Sequence, residues 1–316
     1  MDTKQALEIL KKEGIFWSRL GFSVDPPIFD KDNNNILNEK PEKYFRYHRD
    51  MTAAGIKVHT CILSSGWVGD EQYDFKTPME VLTRLMTENP NTYFMPRIKL
   101  NPPVAWQKKH PEDICVYEDG PKNVDEILSL VGGEKHNIRG DGQKGTLIAN
   151  QSLSSKNWIA SVKNYLGKFI DKLENSEYAE RIIGYHLGYG RCGETHMWGG
   201  LSMDFGINEQ HEFYKFGINK YKDKAQLMKK CGIENLSEST LPIPTTNEYL
   251  KDTNEIDDFF HYGDKYTSYL DYDIFRRMVS YRDVYEIAKF VKEKTKKVVG
   301  FFHGYILYAG ADRHGH

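Results

Sequence analysis

A chain of 316 residues with 39% hydrophobic and 13% aromatic residues can bury a sizeable core as one large domain. Its charged residues, 28% of the chain, sum to a formal net charge of -2, which argues against a nucleic-acid binder because that function calls for a basic face. No apolar run approaches the ~20 residues of a membrane helix, and the charged stretch Met1 to Gly14 lacks the apolar core of a signal peptide, so the expectation is a cytoplasmic protein with no membrane partner.

Residues 3–12 have helical spacing, with Ala6, Leu7 and Leu10 on one face. Ile15 to Phe22 reads as a buried strand, stopped by Asp25-Pro26-Pro27 because proline cannot continue a central strand. Residues 41–54 read as a helix with Gly55 as its C-cap. Lys57 to Leu63 is the second strand, a Ser- and Gly-rich loop runs from Ser64 to Asp74, and residues 78–88 form a helix broken by Asn89-Pro90-Asn91. Thr92 to Leu100 is the third strand. Residues 101–151 are irregular, and that length without periodicity suits a functional loop. A strongly amphipathic helix, 157–173, leads to the fourth strand, Arg181 to Gly188. Residues 204–270 are mixed, 273–294 read as a long helix, and Val298 to Tyr305 is the fifth strand. The four cysteines, Cys61, Cys115, Cys192 and Cys231, are far apart and form no C-x-x-C pair, as in a reducing compartment.

Strand alternates with helix, and the strands are apolar runs buried on both faces, so the pattern predicts a parallel sheet with crossover helices. An open doubly wound sheet would show a Gly-rich turn after its first strand. Here that turn is Asp25-Pro26-Pro27, which favours a barrel. The expected fold class is α/β, a (β/α)8 TIM barrel of which this chain supplies about the first five βα units, with residues 1–316 as one domain.

Barrel active sites lie at the carboxyl ends of the strands. Those ends carry Arg19 and Asp25, then His59 and Ser64, Arg97 and Asn101, His186 and Glu194, and His303 and Tyr305. The densest segment runs from Gly184 to Gly200. Its glycines at 188, 190 and 193 permit tight turns that present Glu194 to a cleft. Trp198 could stack on a sugar or wall off the carboxylate, and an apolar wall raises a carboxyl pKa as a general acid requires. The same carboxylate could instead be a solvated loop group paired with Arg191. His59, His186, His196 and His303 follow no H-x-H or H-E-x-x-H pattern, and Cys192 lacks partners at zinc spacing, so neither a metal nor another cofactor is expected.

Several segments together carry a family resemblance. They are Met95-Pro96-Arg97-Ile98-Lys99-Leu100-Asn101-Pro102-Pro103-Val104-Ala105-Trp106 with His110-Pro111-Glu112, the helix start from Ser152 to Trp158, and Ile183-Gly184-Tyr185-His186-Leu187 running into Gly193-Glu194. The chain resembles the catalytic barrel of glycoside hydrolase family 42 and related clan A β-galactosidase-like enzymes over roughly residues 15 to 310. The resemblance implies a retaining mechanism with two glutamates, in which Glu194 matches the general acid/base. Gly193 stands where many members carry Asn, and the cysteine cluster that binds structural zinc in some members is lacking. The resemblance further implies that Arg97, Asn101, Trp106, His186, Trp198, His59, His303 and Tyr305 shape sugar subsites, that the partner is a glycoside or oligosaccharide, and that a homo-oligomer is compatible with the family.

The family nucleophile belongs on the seventh strand, and five strands are counted here. The expectation is therefore a truncated, N-terminal portion of the barrel that lacks the nucleophile and is inactive by itself. Two rivals stand beside this reading: a non-catalytic carbohydrate-binding barrel, and a metal-dependent barrel hydrolase using the strand-end histidines.

Overall fold

The computed structural model describes residues 1–17, 41–63, 65–118, 126, 151–189, 204–237, 239–245 and 266–301. The chain opens with helix α1 (Thr3–Lys12), capped by Asp2, whose side chain accepts from the Gln5 N–H while the Gln5 side chain accepts from Asp2 N–H. Strand β1 (Ile15–Trp17), helix α2 (Pro41–Ala53) and strand β2 (Val58–Leu63) follow. Gly55, between α2 and β2, has φ +89, a conformation open to glycine at little cost. A short antiparallel hairpin, β3 (Trp67–Gly69) with β4 (Gln72–Tyr73), precedes helix α3 (Lys76–Glu88) and strand β5 (Tyr93–Lys99). Next come the short helix α4 (Val104–Lys109), a 3-10 turn at Pro111–Asp113, and helix α5 (Lys156–Glu174). Strand β6 (Gly184–Gly188), helices α6 (Ile207–Tyr221), α7 (Lys224–Cys231) and α8 (Thr267–Thr295), and strand β7 (Val298–Phe301) complete the order.

Among the described residues five strands form one sheet, in the order β1-β2-β5-β6-β7, and every pair is parallel. The order across the sheet is the order along the chain. A doubly wound sheet reverses direction at a switch point and places helices on both faces. No reversal occurs here, so the sheet is the singly wound arc of an α/β barrel. The sequence expectation of an α/β fold with about five barrel units holds in this architecture.

Side chains alternate between the two faces along each strand. Cys61, Leu63, Phe94, Ile98, Tyr185 and Leu187 point into the main core, which the sheet shares with α3, α5 and α8. Helix α5 supplies Trp158, Val162, Tyr165, Leu166, Phe169, Ile170 and Leu173 to it, spaced three and four residues apart on one helical face. Its N-cap Ser155 accepts from the Trp158 N–H at 2.8 Å. On the opposite face, Val58, Met95 and Ile183 meet Ala6 of α1, with Ile9, Leu10 and Val298 packed around them, so α1 plugs the amino end of the sheet. A further core joins α6, α7 and α8 around Phe213, Leu227, Tyr272, Phe275 and Val279. The other side of α8 leaves Leu270, Ile274, Met278, Tyr281 and Tyr285 exposed.

The hairpin falls in the stretch expected to be plain loop. It exists because Trp67 lies flat on Tyr165 of α5, with ring centroids 5.4 Å apart, and donates its indole N–H to the Gly69 carbonyl at 2.8 Å. Gly66 has φ +66, and a Cβ there would lie 2.4 Å from the Asp74 carbonyl oxygen, so glycine is required at the turn. The first strand is described only as Ile15–Trp17, and Phe22 and Asp25-Pro26-Pro27 lie outside the described residues.

Candidate active site at the carboxyl ends of the strands

The face of the sheet opposite the main core carries Thr60 and Ile62 of β2, Arg97 of β5 and His186 of β6. Register fixes this, because Arg97 pairs with Ile62 on one side and His186 on the other, and cross-strand partners share a face. Trp17 of β1 pairs with Thr60 and so points the same way. The three large groups meet. The Arg97 guanidinium lies 4.9 Å from the Trp17 ring centroid, and the Trp17 and His186 rings pack edge to face at 4.8 Å. Such contacts hold planar groups in fixed orientation. Burial, helped by the charge of Arg97, pushes the His186 pKa down to about 4, so its imidazole is neutral at pH 7. Its Nδ1 is buried with no hydrogen-bond partner among the described residues. Asn101, two residues past β5, likewise has a buried Oδ1 without a partner. Buried polar atoms left unpaired are costly, and in a barrel mouth they are the atoms a ligand or water would satisfy.

Two expected site residues lie elsewhere. His59 belongs to the opposite face, with Cys61 and Leu63. It is 2% exposed, its Nδ1 lies 2.9 Å from Nδ1 of His48 on α2, and its Nε2 meets the Ile56 carbonyl at 3.1 Å. That is the position of a structural pair between helix and strand, not of a sugar subsite. Trp106 is fully buried in the main core, beside Trp67, with its indole N–H donating to Ser161 Oγ at 3.1 Å. No ring face of Trp106 is offered to a ligand. Glu194, Trp198, His303 and Tyr305 lie outside the described residues, as do Arg19, Asp25, Ser64, Arg191 and His196. His59 and His186 sit on opposite faces of the sheet, so these two cannot share a metal ion.

A second polar cluster, which sequence reasoning missed, joins the loops that follow β5 and β6. Asp113 accepts from Ser155 Oγ at 2.6 Å, Asn208 Nδ2 at 2.9 Å and Asn157 Nδ2 at 2.9 Å. Asp204 Oδ1 accepts from the Val116 and Gly206 N–H groups at 3.0 and 2.7 Å. Glu209 accepts from Ser154 Oγ at 2.5 Å and lies 3.1 Å from the Tyr272 hydroxyl. All three carboxylates are at least 95% buried. The run Ser152-Leu153-Ser154-Ser155 before an amphipathic helix was the available signal, since clustered short hydroxyls are ready donors for buried carboxylates. His110, Glu112 and Asp113 also bring one ligand atom each within 4.8 Å of one another. Both ring nitrogens of His110 already face Asp70 and Asn157, and both oxygens of Asp113 accept from protein donors. Those donors are committed to holding the loop together.

No protein-family model matches the sequence, and no curated protein matches it. Solved structures do match in shape. The catalytic domain of beta-amylase from Paenibacillus polymyxa superimposes with a TM-score of 0.60 at 14% identity, covering 82% of this chain and 62% of that one. Beta-galactosidase from Bacillus circulans sp. alkalophilus gives 0.50 at 17% identity, covering 81% and 34%. Beta-galactosidase from the psychrophilic Marinomonas ef1 gives 0.51 at 11% identity, covering 82% and 34%. The chain has a glycosidase-like barrel fold. At these identities the likeness speaks to the fold alone. The chain spans less than two thirds of the length of each of these neighbours. Among the described residues no helix is long and apolar enough to cross a membrane, and Cys61, Cys115 and Cys231 are free thiols.

Proposed function

We propose that the chain, taken as one barrel domain, works as a retaining O-glycosidase on β-galactosides or related oligosaccharides, with Glu194 as general acid/base. One observation carries the reading: a singly wound parallel sheet of glycosidase-like fold presents Arg97, His186 and Trp17 on the face turned away from the helices. Glu194 follows the fourth strand, the side on which barrel enzymes keep their chemistry. As the acid it protonates the leaving glycosidic oxygen, and as the conjugate base it takes a proton from water to resolve a glycosyl-enzyme intermediate. A second carboxylate about 5 Å away is the nucleophile in such a pair. The family pattern puts it on a seventh strand, and no residue of this chain is assigned to it. Without that carboxylate the covalent step does not occur. Arg97, Asn101 and His186 would hold sugar hydroxyls, joined by Trp198, His303 and Tyr305. His59 and Trp106 drop out of the subsite set because of where their side chains lie.

The test is hydrolysis of an aryl β-galactoside by this chain joined to a barrel remainder that supplies the seventh-strand carboxylate, and by the Glu194→Gln variant of the same protein. The expected result is a loss of about 10²–10⁴-fold in turnover, the usual worth of a general acid, with sugar binding retained. Unaltered turnover in the variant removes Glu194 from the mechanism. Sugar binding without turnover in either form favours the non-catalytic binding barrel.

A further inference from the structure

The loops on either side of the fourth strand meet in a buried hub centred on Tyr272 of α8. The Tyr272 hydroxyl oxygen lies 3.0 Å from both the N–H and the carbonyl of Asp204, and 3.1 Å from Oε1 of Glu209. The Asp204 N–H donates to that oxygen, and a phenol has one hydrogen to give. That hydrogen serves either the Asp204 carbonyl or the Glu209 carboxylate. A protonated Glu209 removes the conflict. It donates to the remaining lone pair of Tyr272, and all three contacts are satisfied. An ionised Glu209 competes for the single hydrogen, and one contact fails. The other oxygen of Glu209 accepts from Ser154, on the loop that enters α5.

A second contact to α8 lies nearby. Tyr189 is fully buried, meets Ser280 of α8 through its hydroxyl at 3.1 Å, and packs edge-on against Trp158 at 5.4 Å. Asp204 hangs on Tyr272 of the same helix. Tyr189 and Asp204 are therefore both moored to α8, at positions eight residues or about 12 Å apart along its axis. The Ser154 contact and the bond from Phe205 N–H to the Val116 carbonyl, 2.9 Å, tie the second mooring to the loop after β5.

We infer that Glu209 is a proton-dependent latch: with its proton it ties Ser154, at the entry to α5, to Tyr272 of α8 and through it to Asp204, and on losing it the tie loosens. The groups facing Glu209 agree with a proton held there. Asp204 and Cys115 face it from the loops, and Tyr272, Arg276 and Asp283 from α8. Burial, reinforced by the charge of Asp204, raises the Glu209 pKa to about 7, and Arg276 offsets only part of that rise.

Amide hydrogen exchange, corrected for intrinsic rates and read by mass spectrometry at pH 6 and pH 8.5, tests the latch. In the unmodified protein, protection of residues 111–118, 151–155 and 204–212 should fall by about tenfold between the two, the worth of one pKa unit. Glu209→Gln, whose amide can donate to Tyr272 and accept from Ser154, should keep the pH 6 protection at both. Tyr272→Phe should show the loosened level already at pH 6, with Tyr93–Lys99 unaffected. Constant protection in the unmodified protein overturns the inference, as does an undiminished fall in Glu209→Gln or full pH 6 protection in Tyr272→Phe. The readout is exchange, not turnover, so a failed Glu194→Gln test sinks the glycosidase reading alone.

Discussion

Arg181 ends α3 from across the sheet. Its Nε donates to the Thr92 carbonyl at 2.9 Å, its Nη1 to the Met86 carbonyl at 3.0 Å, and its Nη2 to the Asn89 carbonyl. These carbonyls lie at or beyond the helix end, where no intrahelical N–H reaches them. Arg181→Ala should cost about 2–3 kcal/mol in urea unfolding, since charge-assisted bonds to three carbonyls are lost. Arg181→Lys should recover less than half, because one ammonium cannot span three acceptors; full recovery would refute the fork geometry. The residue scale is also where the sequence was hardest to read. His59 and His186 are both strand histidines, yet one faces helix α2 and the other the open face. All six residues of β2 are buried, so no polar–apolar alternation marked its faces. Trp106 belongs to a resembling segment, but its neighbours Trp67 and Ser161 come from distant stretches that only the fold assembles. Asp204 and Glu209 look like ordinary loop acids until Ser154 and Tyr272 are brought to them.

Helix α5 is the element most plainly written in the chain. Of eight apolar residues at helical spacing seven are buried and Ile159 is half-buried, and the expected span 157–173 differs from Lys156–Glu174 by a residue at each end. Leu166→Ala should cost about 2–5 kcal/mol, as core truncations do. A change of less than 0.5 kcal/mol, on the order of a surface substitution, would contradict the buried stripe. The β6–β7 junction is tighter than its sequence suggests. A Cβ on Gly184 would come within 2.6 Å of the Val298 carbonyl oxygen. Gly184→Ala should therefore destabilise by about 1–3 kcal/mol through forced backbone shifts, readable as a lowered denaturant midpoint. The hairpin and α4 went unread because each is short and held by distant partners, Trp67 by Tyr165 and Trp106 by Trp67 and Ser161, and elements of two to six residues carry no periodicity.

For the whole molecule, buried titratable groups pull stability in two directions. Burial lowers His48 to about 3 and His186 to about 4, and lowers His59. These rings stay neutral in the fold while the unfolded chain takes up protons below about 6.5, so they cost stability as pH falls. Burial raises Glu209 to about 7 and Asp283 to about 8. The fold retains those protons when the unfolded chain has lost them, so this stability is full below the ordinary carboxylate range and drains away as pH rises through 7 and 8. The two sets oppose each other from about pH 4.5 to 6.5. A thermal midpoint highest near pH 5–6 is expected, with about 1–4 kcal/mol less stability at pH 8.5. A midpoint that climbs from pH 6 to 8.5 would show the carboxylates to be ionised in the fold. The barrel arc itself was legible from alternating strands and helices, whereas strand order had to be seen. That order has a consequence during synthesis. Each strand of the sheet pairs with the one made before it, so a chain emerging from the ribosome can add strands as they appear. No strand has to be held in reserve for a neighbour not yet translated, and each new crossover helix covers apolar surface soon after it is exposed.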